Sequence, residues 1–338
     1  MLKVAINGFG RIGRSAFKVA VDHHKNEVDI VGINDLTDAN TLAHLLKYDT
    51  AYGIYDKEVT SSGNNVIVAG QKYPIHAEKD PANLPWRELD VDVVIESTGF
   101  FASYEGSMGH IKAGAKRVVI SAPAKGEGVG TYLIGVNADK DTGEEQIINN
   151  ASCTTNCIAP VAAIMHAKFG VAKAMMTTIH SYTADQNLQD GPHKDLRRAR
   201  AAAENIIPTS TGAAIATTEA IPELKGLFDG VAIRVPTPVG SISDFTFLLK
   251  KKTSVDEINK ALKEATKNPL YKDILAVTEE PLVSSDIVGR TESSIVDLSL
   301  TQVVDGDLVK VFAWYDNEMG YSHRLIEQVI RAGKQIKR

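Results

Sequence analysis

Residues 3–13 read KVAINGFGRIG, an apolar run that passes directly into the pattern G-x-G-x-x-G. Apolar side chains at helical spacing follow over residues 14–21, and a second apolar run over 28–33 leads to Asp35. A strand, a glycine turn, a helix and a second strand ending in an acid form the unit that binds dinucleotides in doubly wound sheets. The stretch therefore predicts a Rossmann-type parallel sheet at the start of the chain.

The residues of this turn have separate predicted roles. Its glycines allow a tight turn and a close approach of the backbone to a pyrophosphate, which the helix N-terminus binds. Asp35 is placed to accept hydrogen bonds from ribose hydroxyls, and its charge repels a 2′-phosphate, so the sequence favours NAD over NADP. The alternative is a glycine-rich turn followed by an unrelated surface aspartate. The candidate cofactor-binding residues of this region are Gly8, Gly10, Arg11, Ile12, Gly13 and Asp35.

Two further apolar runs, Val91–Gly99 and Val118–Ala124, continue the pattern. Both are almost continuously apolar, as strands covered on both faces should be. Small polar residues close them at Thr98, Gly99 and Ser121, where a parallel sheet meets its ligand. We expect these residues to line the cofactor crevice, and ordinary strand-end turns are the alternative.

The second half of the chain has a different character. Strand candidates with alternating apolar and polar residues lie at 230–235, 243–249, 295–300 and 308–314. Such alternation is typical of an antiparallel sheet with one covered face. We therefore expect an α/β protein: an NAD-binding Rossmann domain over residues 1–151, an α+β domain with a largely antiparallel sheet over 152–317, and a closing helix within 318–338.

Residues 151–157 read ASCTTNC and precede an apolar run. A polar stretch that opens an apolar run is typical of a helix N-terminus, with serine and threonine as capping residues. A cysteine there lies at the positive end of the helix dipole, which favours the thiolate, so Cys153 is a candidate nucleophile. The alternative is a small buried apolar residue, the usual role of a free cysteine.

Three arginines occur within residues 197–200. They form either a solvated helix face, an RNA-binding patch, or an anion site, since arginine pairs with phosphate in a fork. The net charge of -5 argues against a general nucleic-acid surface, so no dedicated nucleic-acid site is expected. Residues 206–212, IIPTSTG, resemble a phosphate-binding turn ahead of a helix of small residues.

The composition narrows the class of protein further. The chain of 338 residues has two cysteines, spaced C-x-x-x-C, which form neither a disulfide framework nor a zinc site. No uninterrupted apolar stretch approaches the length of a membrane span. We expect a cytoplasmic protein with no metal and no membrane partner.

These motifs together resemble the glyceraldehyde-3-phosphate dehydrogenase family, from residue 3 to the C-terminal helix. The stretches that carry the resemblance are GFGRIGR at 8–14, ASCTTNC at 151–157, HSYT at 180–183, RRAR at 197–200, RVPTPVGS at 234–241 and WYDNE at 314–318.

The resemblance implies oxidation of D-glyceraldehyde 3-phosphate to 1,3-bisphosphoglycerate with NAD and inorganic phosphate. Cys153 would form a thioester, and His180 would lower the pKa of the thiol and act as general base. Asn317 would hold the nicotinamide carboxamide, so the C-terminal helix over 318–338 would complete the NAD-binding domain. The loop over 181–204 would pack between the subunits of a homotetramer. The resemblance also implies two anion sites. Thr183 and Arg234 would bind the substrate phosphate. Ser152, Thr211 and Gly212, with Thr154 beside them, would bind inorganic phosphate, and Arg198 would lie close to both.

Some residues depart from the family pattern, and other functions remain open. Ala184 stands where asparagine is usual, Gly191 where a larger apolar residue is common, and Ile215 where lysine is frequent. One alternative is an erythrose-4-phosphate dehydrogenase, although the retained Tyr182-Thr183 favours the triose phosphate. Another is a non-catalytic NAD-binding or RNA-binding protein with the same fold, against which Cys153 and the histidine argue.

Overall fold

A computed structural model describes residues 1–336 of the chain. By its contacts the chain forms two compact units: Met1–Ile134 with Ala138–Ala151 and the segment from Ser322 onward, and Gly135–Asn137 with Ser152–Tyr321. The predicted closing helix extends to residue 338, so its last two residues lie outside the described part. No helix within residues 1–336 has both the length and the apolar character needed to span a membrane.

The first unit contains most of a doubly wound sheet. Its strands are β1 (Leu2–Asn7), β2 (Val28–Asn34), β3 (Tyr48–Asp49), β4 (Gly53–Ile54), β5 (Val59–Ser62), β6 (Asn65–Val68), β7 (Gln71–His76), β8 (Val93–Glu96), β9 (Arg117–Ile120), β10 (Gly130–Thr131) and β11 (Ile147–Asn149). Its first helices are α1 (Arg11–His23), α2 (Ala39–Lys47) and α3 (Tyr104–Lys112).

The sheet order is β10-β11-β9-β8-β1-β2-β7-β6-β5, and β3 pairs with β4. The pairs from β10 to β7 are parallel, whereas β7, β6 and β5 run antiparallel. β1 is central, with β2 on one side and β8 on the other, and its residues Val4–Ile6 are fully buried. The predicted Rossmann-type sheet is confirmed; its antiparallel extension falls in residues for which the motifs predict nothing.

The second unit has a mixed sheet and its own helices. Its elements are α4 (Cys153–Phe169), β12 (Val171–Ser181), β13 (Ile207–Thr209), α5 (Ala213–Ala220), β14 (Phe228–Val235), β15 (Ser241–Leu249), α6 (Val255–Ala265), β16 (Leu275–Thr278), β17 (Ser294–Val304), β18 (Leu308–Tyr315) and α7 (Met319–Lys334), of which α7 continues into the first unit. Short 3-10 turns of the chain lie at Pro81–Asn83, Ala138–Lys140, Pro222–Leu224, Pro269–Tyr271 and Ser284–Ile287.

The strand order of this sheet is β13-β14-β12-β15-β18-β17-β16. Its pairs are antiparallel except β12 with β14 and β16 with β17, so the prediction of a largely antiparallel sheet is confirmed. α4 packs against β12, β15, β17 and β18, and its residues Ile158, Val161 and Met165 are buried. The apolar run after the cysteine is therefore a core helix whose first residue is Cys153.

Candidate active site

The start of α4 places a thiol beside an imidazole. The Sγ atom of Cys153 lies 3.4 Å from Nε2 of His180, near the end of β12. Ser152 caps the helix, because its Oγ accepts a hydrogen bond of 3.0 Å from the backbone N–H of Thr155. Ala151 just before it is in the left-handed conformation, with φ of 50°, which is unfavourable for a residue with a Cβ. A capped and strained turn thus fixes the position of the sulfur.

Hydrogen bonding decides which nitrogen of His180 carries its proton. The Nδ1 atom lies 2.6 Å from the carbonyl oxygen of Ser181, which can only accept. Nδ1 therefore carries the hydrogen, and Nε2, which faces Cys153, has a free lone pair. The nitrogen beside the thiol is the one able to remove its proton.

Arg234 supplies the positive charge of this cluster. It lies opposite His180 in the register of β12 and β14, and its Nη1 donates to the carbonyl oxygen of Ser181 at 3.0 Å. The same Nη1 lies 2.9 Å from His180 Nδ1, which is a contact between two donors that share the Ser181 carbonyl and not a hydrogen bond, and 3.4 Å from the hydroxyl of Thr183. Within residues 1–336 the buried Nε of Arg234 has no hydrogen-bond partner. A buried guanidinium with an unused donor is suited to bind an anion.

The ionisation of the pair differs from what the sequence suggests. Burial raises the pKa of the Cys153 thiol, which the nearby charge of Arg234 and the N–H of Thr154 only partly oppose. Burial, with a smaller effect of Arg234, lowers the pKa of His180 to about 3. The imidazole is therefore neutral at neutral pH and is not the cation that stabilises a thiolate. The helix start lowers the thiol pKa as expected, through the N–H of Thr154, but burial has the larger effect, so the net direction is upward.

Tyr315, which the sequence analysis does not assign to the site, connects three of its elements. Its buried hydroxyl lies 2.9 Å from Oγ1 of Thr154 on α4 and 2.7 Å from Oγ1 of Thr178 on β12. Its ring packs edge-on against His180, with 6.0 Å between centroids. A tyrosine at the end of a buried strand needs a partner for its hydroxyl, and this is the sequence signal that points to it.

In the first unit the glycine turn has the shape of a pyrophosphate cradle. Gly8 has φ of 93°, and a Cβ there would lie 2.7 Å from the backbone nitrogen of Thr98. A Cβ on Gly13 would lie 2.1 Å from the carbonyl oxygen of Gly8. Gly10 is the N-cap of α1 without a side-chain cap, and a Cβ there would meet no atom within 4 Å. Two glycines are thus required by packing, and the third leaves the helix N-terminus open to a ligand.

The other candidate cofactor residues lie at the carboxyl ends of neighbouring strands. Asp35 follows β2, and its carboxylate accepts hydrogen bonds from the N–H groups of Phe9 at 2.8 Å and Thr37 at 2.9 Å. Thr98 and Gly99 follow β8, and Ser121 follows β9. These strand ends flank the point between β1 and β8 where the strand order reverses, which is where doubly wound sheets bind ligands.

Comparison with known proteins gives matches in both halves of the chain. Residues 2–104 match the family profile described as glyceraldehyde 3-phosphate dehydrogenase, NAD binding domain, and residues 152–317 match that of its C-terminal domain. The chain is 55% identical over 327 residues to glyceraldehyde-3-phosphate dehydrogenase of Geobacillus stearothermophilus, covering 96% of each chain. It is 53% identical to glyceraldehyde-3-phosphate dehydrogenase 1 of Bacillus subtilis (strain 168), again covering 96% of each chain. It is 51% identical to glyceraldehyde-3-phosphate dehydrogenase of Mycolicibacterium smegmatis (strain ATCC 700084 / mc(2)155), covering 99% of each chain.

The chain belongs to the glyceraldehyde-3-phosphate dehydrogenase family. The resemblance inferred from the motifs is confirmed, and with it NAD as the cofactor. Among residues 1–336, no cluster of three or more histidine, cysteine or acidic side chains is arranged to hold a metal ion.

Two of the three arginines in the RRAR motif at 197–200 form ion pairs with aspartates. Arg198 contacts Asp185 at 2.5 Å, and Arg200 contacts Asp190 at 2.8 Å. The positive charge of Arg198 also contributes, less than burial and Arg234, to the lowered pKa of His180. Because these aspartates offset the positive charge, the geometry disfavours the RNA-binding alternative.

The remaining predicted residues are distributed between two helix starts and a loop. Thr154 is engaged by Tyr315, as described above. Thr211 and Gly212 stand at the start of α5, where Thr211 Oγ1 accepts from the N–H of Ala213 at 3.2 Å. α5 packs against α4. Asn317 is buried after β18, and its Oδ1 accepts from the N–H of Gly240 and the hydroxyl of Ser241.

The Arg11 side chain makes a two-pronged ion pair with Asp49, at 2.9 and 3.2 Å, and Ile12 follows it in the first turn of α1. Their backbone therefore forms the helix start, while the guanidinium has a protein partner.

The positions that depart from the family pattern lie away from the thiol. Ala184 and Ile215 are exposed. The backbone of Gly191 bonds to Ala199 at 2.9 Å and accepts from the Asn187 side chain at 2.6 Å. None of the three replaces a group that contacts Cys153 or His180.

Proposed function

We propose that this protein oxidises D-glyceraldehyde 3-phosphate to 1,3-bisphosphoglycerate, with NAD and inorganic phosphate as the other reactants. The observation that carries the proposal is the 3.4 Å contact between Cys153 Sγ and Nε2 of His180. A thiol that shares its proton with a neutral imidazole, beside a buried guanidinium, is suited to attack a carbonyl carbon in a phosphorylated substrate.

The first step joins the sulfur to the aldehyde. His180 Nε2 takes the thiol proton as Cys153 Sγ forms a bond to the aldehyde carbon, and the carbonyl electron pair moves to oxygen. The imidazolium then donates to that oxygen, while the carbonyl of Ser181 keeps the ring oriented through Nδ1. The product is a hemithioacetal with a neutral His180.

In the oxidation, His180 removes the hydroxyl proton of the hemithioacetal, and the carbon–oxygen double bond forms again. The chemistry supplied by bound NAD is acceptance of the aldehyde hydrogen with its electron pair. An oxygen of inorganic phosphate then attacks the Cys153 thioester, the carbon–sulfur bond breaks, and the departing sulfur takes back the proton that His180 holds, which leaves the imidazole neutral. The acyl phosphate leaves, and the enzyme returns to its starting state.

The anion sites are part of the same proposal. The unused buried Nε of Arg234 supports its assignment, with Thr183 and Arg198, to the substrate phosphate. The helix start at Thr211 and Gly212 supports their assignment, with Ser152 and Thr154, to inorganic phosphate, since backbone N–H groups there bind anions.

For NAD we propose the strand-end residues of the first unit, with Asn317 for the carboxamide. The strand-end residues are Gly8, Gly10, Arg11, Ile12, Gly13, Asp35, Thr98, Gly99 and Ser121.

The test is the absorbance of reduced cofactor, with NAD and NADP in parallel and with phosphate present or omitted. We expect sustained turnover that requires phosphate and prefers NAD. The same assay with erythrose 4-phosphate distinguishes the nearest alternative, because an erythrose-4-phosphate dehydrogenase would oxidise that aldehyde in preference to the triose phosphate. A burst that phosphate does not prolong would refute the inorganic-phosphate site, and tight NAD binding without turnover would indicate the non-catalytic alternative.

We also propose a homotetramer and a cytoplasmic location. The loop after β12 exposes apolar side chains, with Leu188 and Leu196 each 81% and Ile206 72% accessible, as expected of residues that contact another subunit. Two free cysteines suit a reducing compartment. Light scattering after gel filtration tests the assembly, and a monomeric mass would contradict it. Cell fractionation tests the location.

A further inference from the structure

A buried carboxylate with no role in the chemistry above lies beneath the cofactor region. Glu96, the last residue of β8, is 1% exposed. Its Oε1 accepts hydrogen bonds from the backbone N–H of Thr98 at 2.9 Å and from the Thr98 hydroxyl at 2.5 Å. The carboxylate therefore holds the turn that leads to Gly99, by two bonds to one residue.

The other oxygen of Glu96, Oε2, accepts a hydrogen bond from His110, and a hydrogen bond from Trp86 to His110 fixes which ring nitrogen is the donor. The Trp86 indole N–H can only donate, and it lies 3.0 Å from Nδ1 of His110. Nδ1 must therefore accept, so Nε2 of His110 carries the hydrogen and donates to Glu96 Oε2 at 3.1 Å. His110 and Trp86 are fully buried, so water does not compete for these groups. The indole thereby sets the tautomer that His110 presents to the carboxylate.

Two asparagines extend this network to the neighbouring strands. Asn7, at the end of β1, donates to Glu96 Oε2 at 2.6 Å. Asn34, at the end of β2, donates to the side-chain oxygen of Asn7 at 2.7 Å. Asn34 immediately precedes Asp35, and Asn7 immediately precedes Gly8. The network thus joins the three strand ends from which the candidate cofactor residues extend.

We propose that Glu96, oriented by His110 and Trp86, is a positioning residue for NAD: it fixes the Thr98-Gly99 turn relative to the glycine turn and Asp35. This role rests on the proposed use of NAD by this unit. Four donors saturate the carboxylate, so the network has one arrangement of protons and one geometry. A site held in its binding geometry before the ligand arrives loses less entropy on binding.

The variants Glu96→Gln, His110→Leu and His110→Gln test this role. In Glu96→Gln the amide NH2 faces two hydrogen-bond donors whichever way the amide is turned, because each oxygen of Glu96 accepts from two donors. In His110→Leu the Trp86 indole has no acceptor and Glu96 loses one donor. We expect both to raise the KM and Kd for NAD roughly tenfold, which corresponds to about 1.4 kcal/mol. The kcat at saturating NAD and the KM for the aldehyde should stay within about twofold, since an equal loss in ground and transition state changes affinity alone.

The conservative variant is expected to restore the affinity. Glutamine at position 110 offers a carbonyl to Trp86 and an N–H to Glu96, so His110→Gln should bind NAD within about threefold of the parent. Hydrogen exchange of the Thr98 amide reports the held turn directly. We expect fast exchange in Glu96→Gln without cofactor and protection in the parent and in His110→Gln.

The matched control is Asp141→Asn, which weakens another buried network of the same unit. Arg117 and Asp141 contact each other at 3.0 Å, and Arg117 begins β9, whereas Gly8 follows the carboxyl end of the parallel strand β1, so the two lie at opposite ends of the strands. Asp141→Asn should lower the melting temperature but leave the KM for NAD unchanged.

The outcomes separate the possible failures. If the variants melt earlier but keep the parent KM for NAD, Glu96 is structural only and the positioning role is wrong. If Glu96→Gln gives no folded protein, the two His110 variants decide by the same criterion. If the parent protein itself does not bind NAD, the proposed function is refuted, and the positioning role of Glu96 is refuted with it.

Discussion

The glycine turn of the first unit and the thiol cluster of the second are built in different ways. The turn lies within six consecutive residues, 8–13, and its shape comes from backbone and from absent side chains. The cluster comes from side chains distant in sequence: Thr154 and Tyr315, which share a hydrogen bond, are 161 residues apart. A backbone site is damaged by adding an atom, whereas a side-chain site is damaged by removing one.

The largest effect on activity should come from removing the Cys153 sulfur, and this variant distinguishes the role of the thiol cluster from that of the glycine turn. For Cys153→Ala we expect kcat to fall by about 10⁴-fold or more, because no other group can form the thioester. The Kd for NAD should change little. Cys157→Ala is the matched control: burial raises the pKa of Cys157 to about 12, and its sulfur lies 3.8 Å from Ser294 Oγ in the core. Activity of that variant below about a third of the parent would argue against a single reactive thiol.

The next effect concerns the base. His180→Gln should lower kcat by about 10²–10⁴-fold, the usual contribution of a positioned general base. Steady-state kinetics measure the loss, with the Kd for NAD as control for the first unit. A decrease below tenfold would show that the base lies elsewhere.

The same variant should change stability in acid. Because the folded pKa of His180 is about 3 and the ordinary value is 6.5, the unfolded chain binds a proton that the folded chain does not between these pH values. The free energy of unfolding should therefore fall as pH decreases through this window. His180→Gln should show a shallower decrease, measured by urea unfolding from pH 6.5 to 4. Burial also lowers the pKa of His323 to about 4, so part of the dependence of the unfolding free energy on pH should remain in this variant.

Adding one methyl group tests the glycine turn. Gly13→Ala places a Cβ against the carbonyl of Gly8, so we expect a loss of about 1–3 kcal/mol in stability, together with weaker NAD binding. Gly10→Ala has open space, so stability should hold while NAD affinity alone declines. Thermal unfolding and calorimetric titration of both variants separate packing from binding. Equal melting temperatures for the two would contradict the distinction drawn between these glycines.

Among the variants of the thiol cluster, the smallest effect on kcat should come from removing the hydroxyl of Tyr315. Tyr315→Phe leaves the buried hydroxyls of Thr154 and Thr178 without this partner, which should cost about 1–3 kcal/mol in stability. Because the ring still packs against His180, kcat should fall only several-fold. Chemical denaturation and steady-state kinetics on one preparation give both values. A loss comparable to that of His180→Gln would make the hydroxyl, not the ring, the determinant of imidazole position.

Much of the fold was predictable because its signals are local. The strand, turn and helix around Gly8 follow from apolar periodicity and glycine, and the core helix after Cys153 follows from its cap and apolar run. The antiparallel extension β5–β7 was not predicted, since short strands without a motif leave little periodicity. The buried pair of Glu96 and His110 was also not predicted, because a carboxylate and an imidazole in sequence are ordinarily surface residues.

By itself the sequence determined the Rossmann-type turn, NAD as the cofactor and the family, since all three depend on residue types in short fixed spacings. The tertiary structure alone decided which charge state each member of the thiol cluster adopts. Burial raises the pKa of Cys153 and lowers that of His180, and Arg234 comes opposite the histidine only through the pairing of β12 with β14. Desolvation and cross-strand register depend on what surrounds a residue in space, which residue spacing along the chain does not specify.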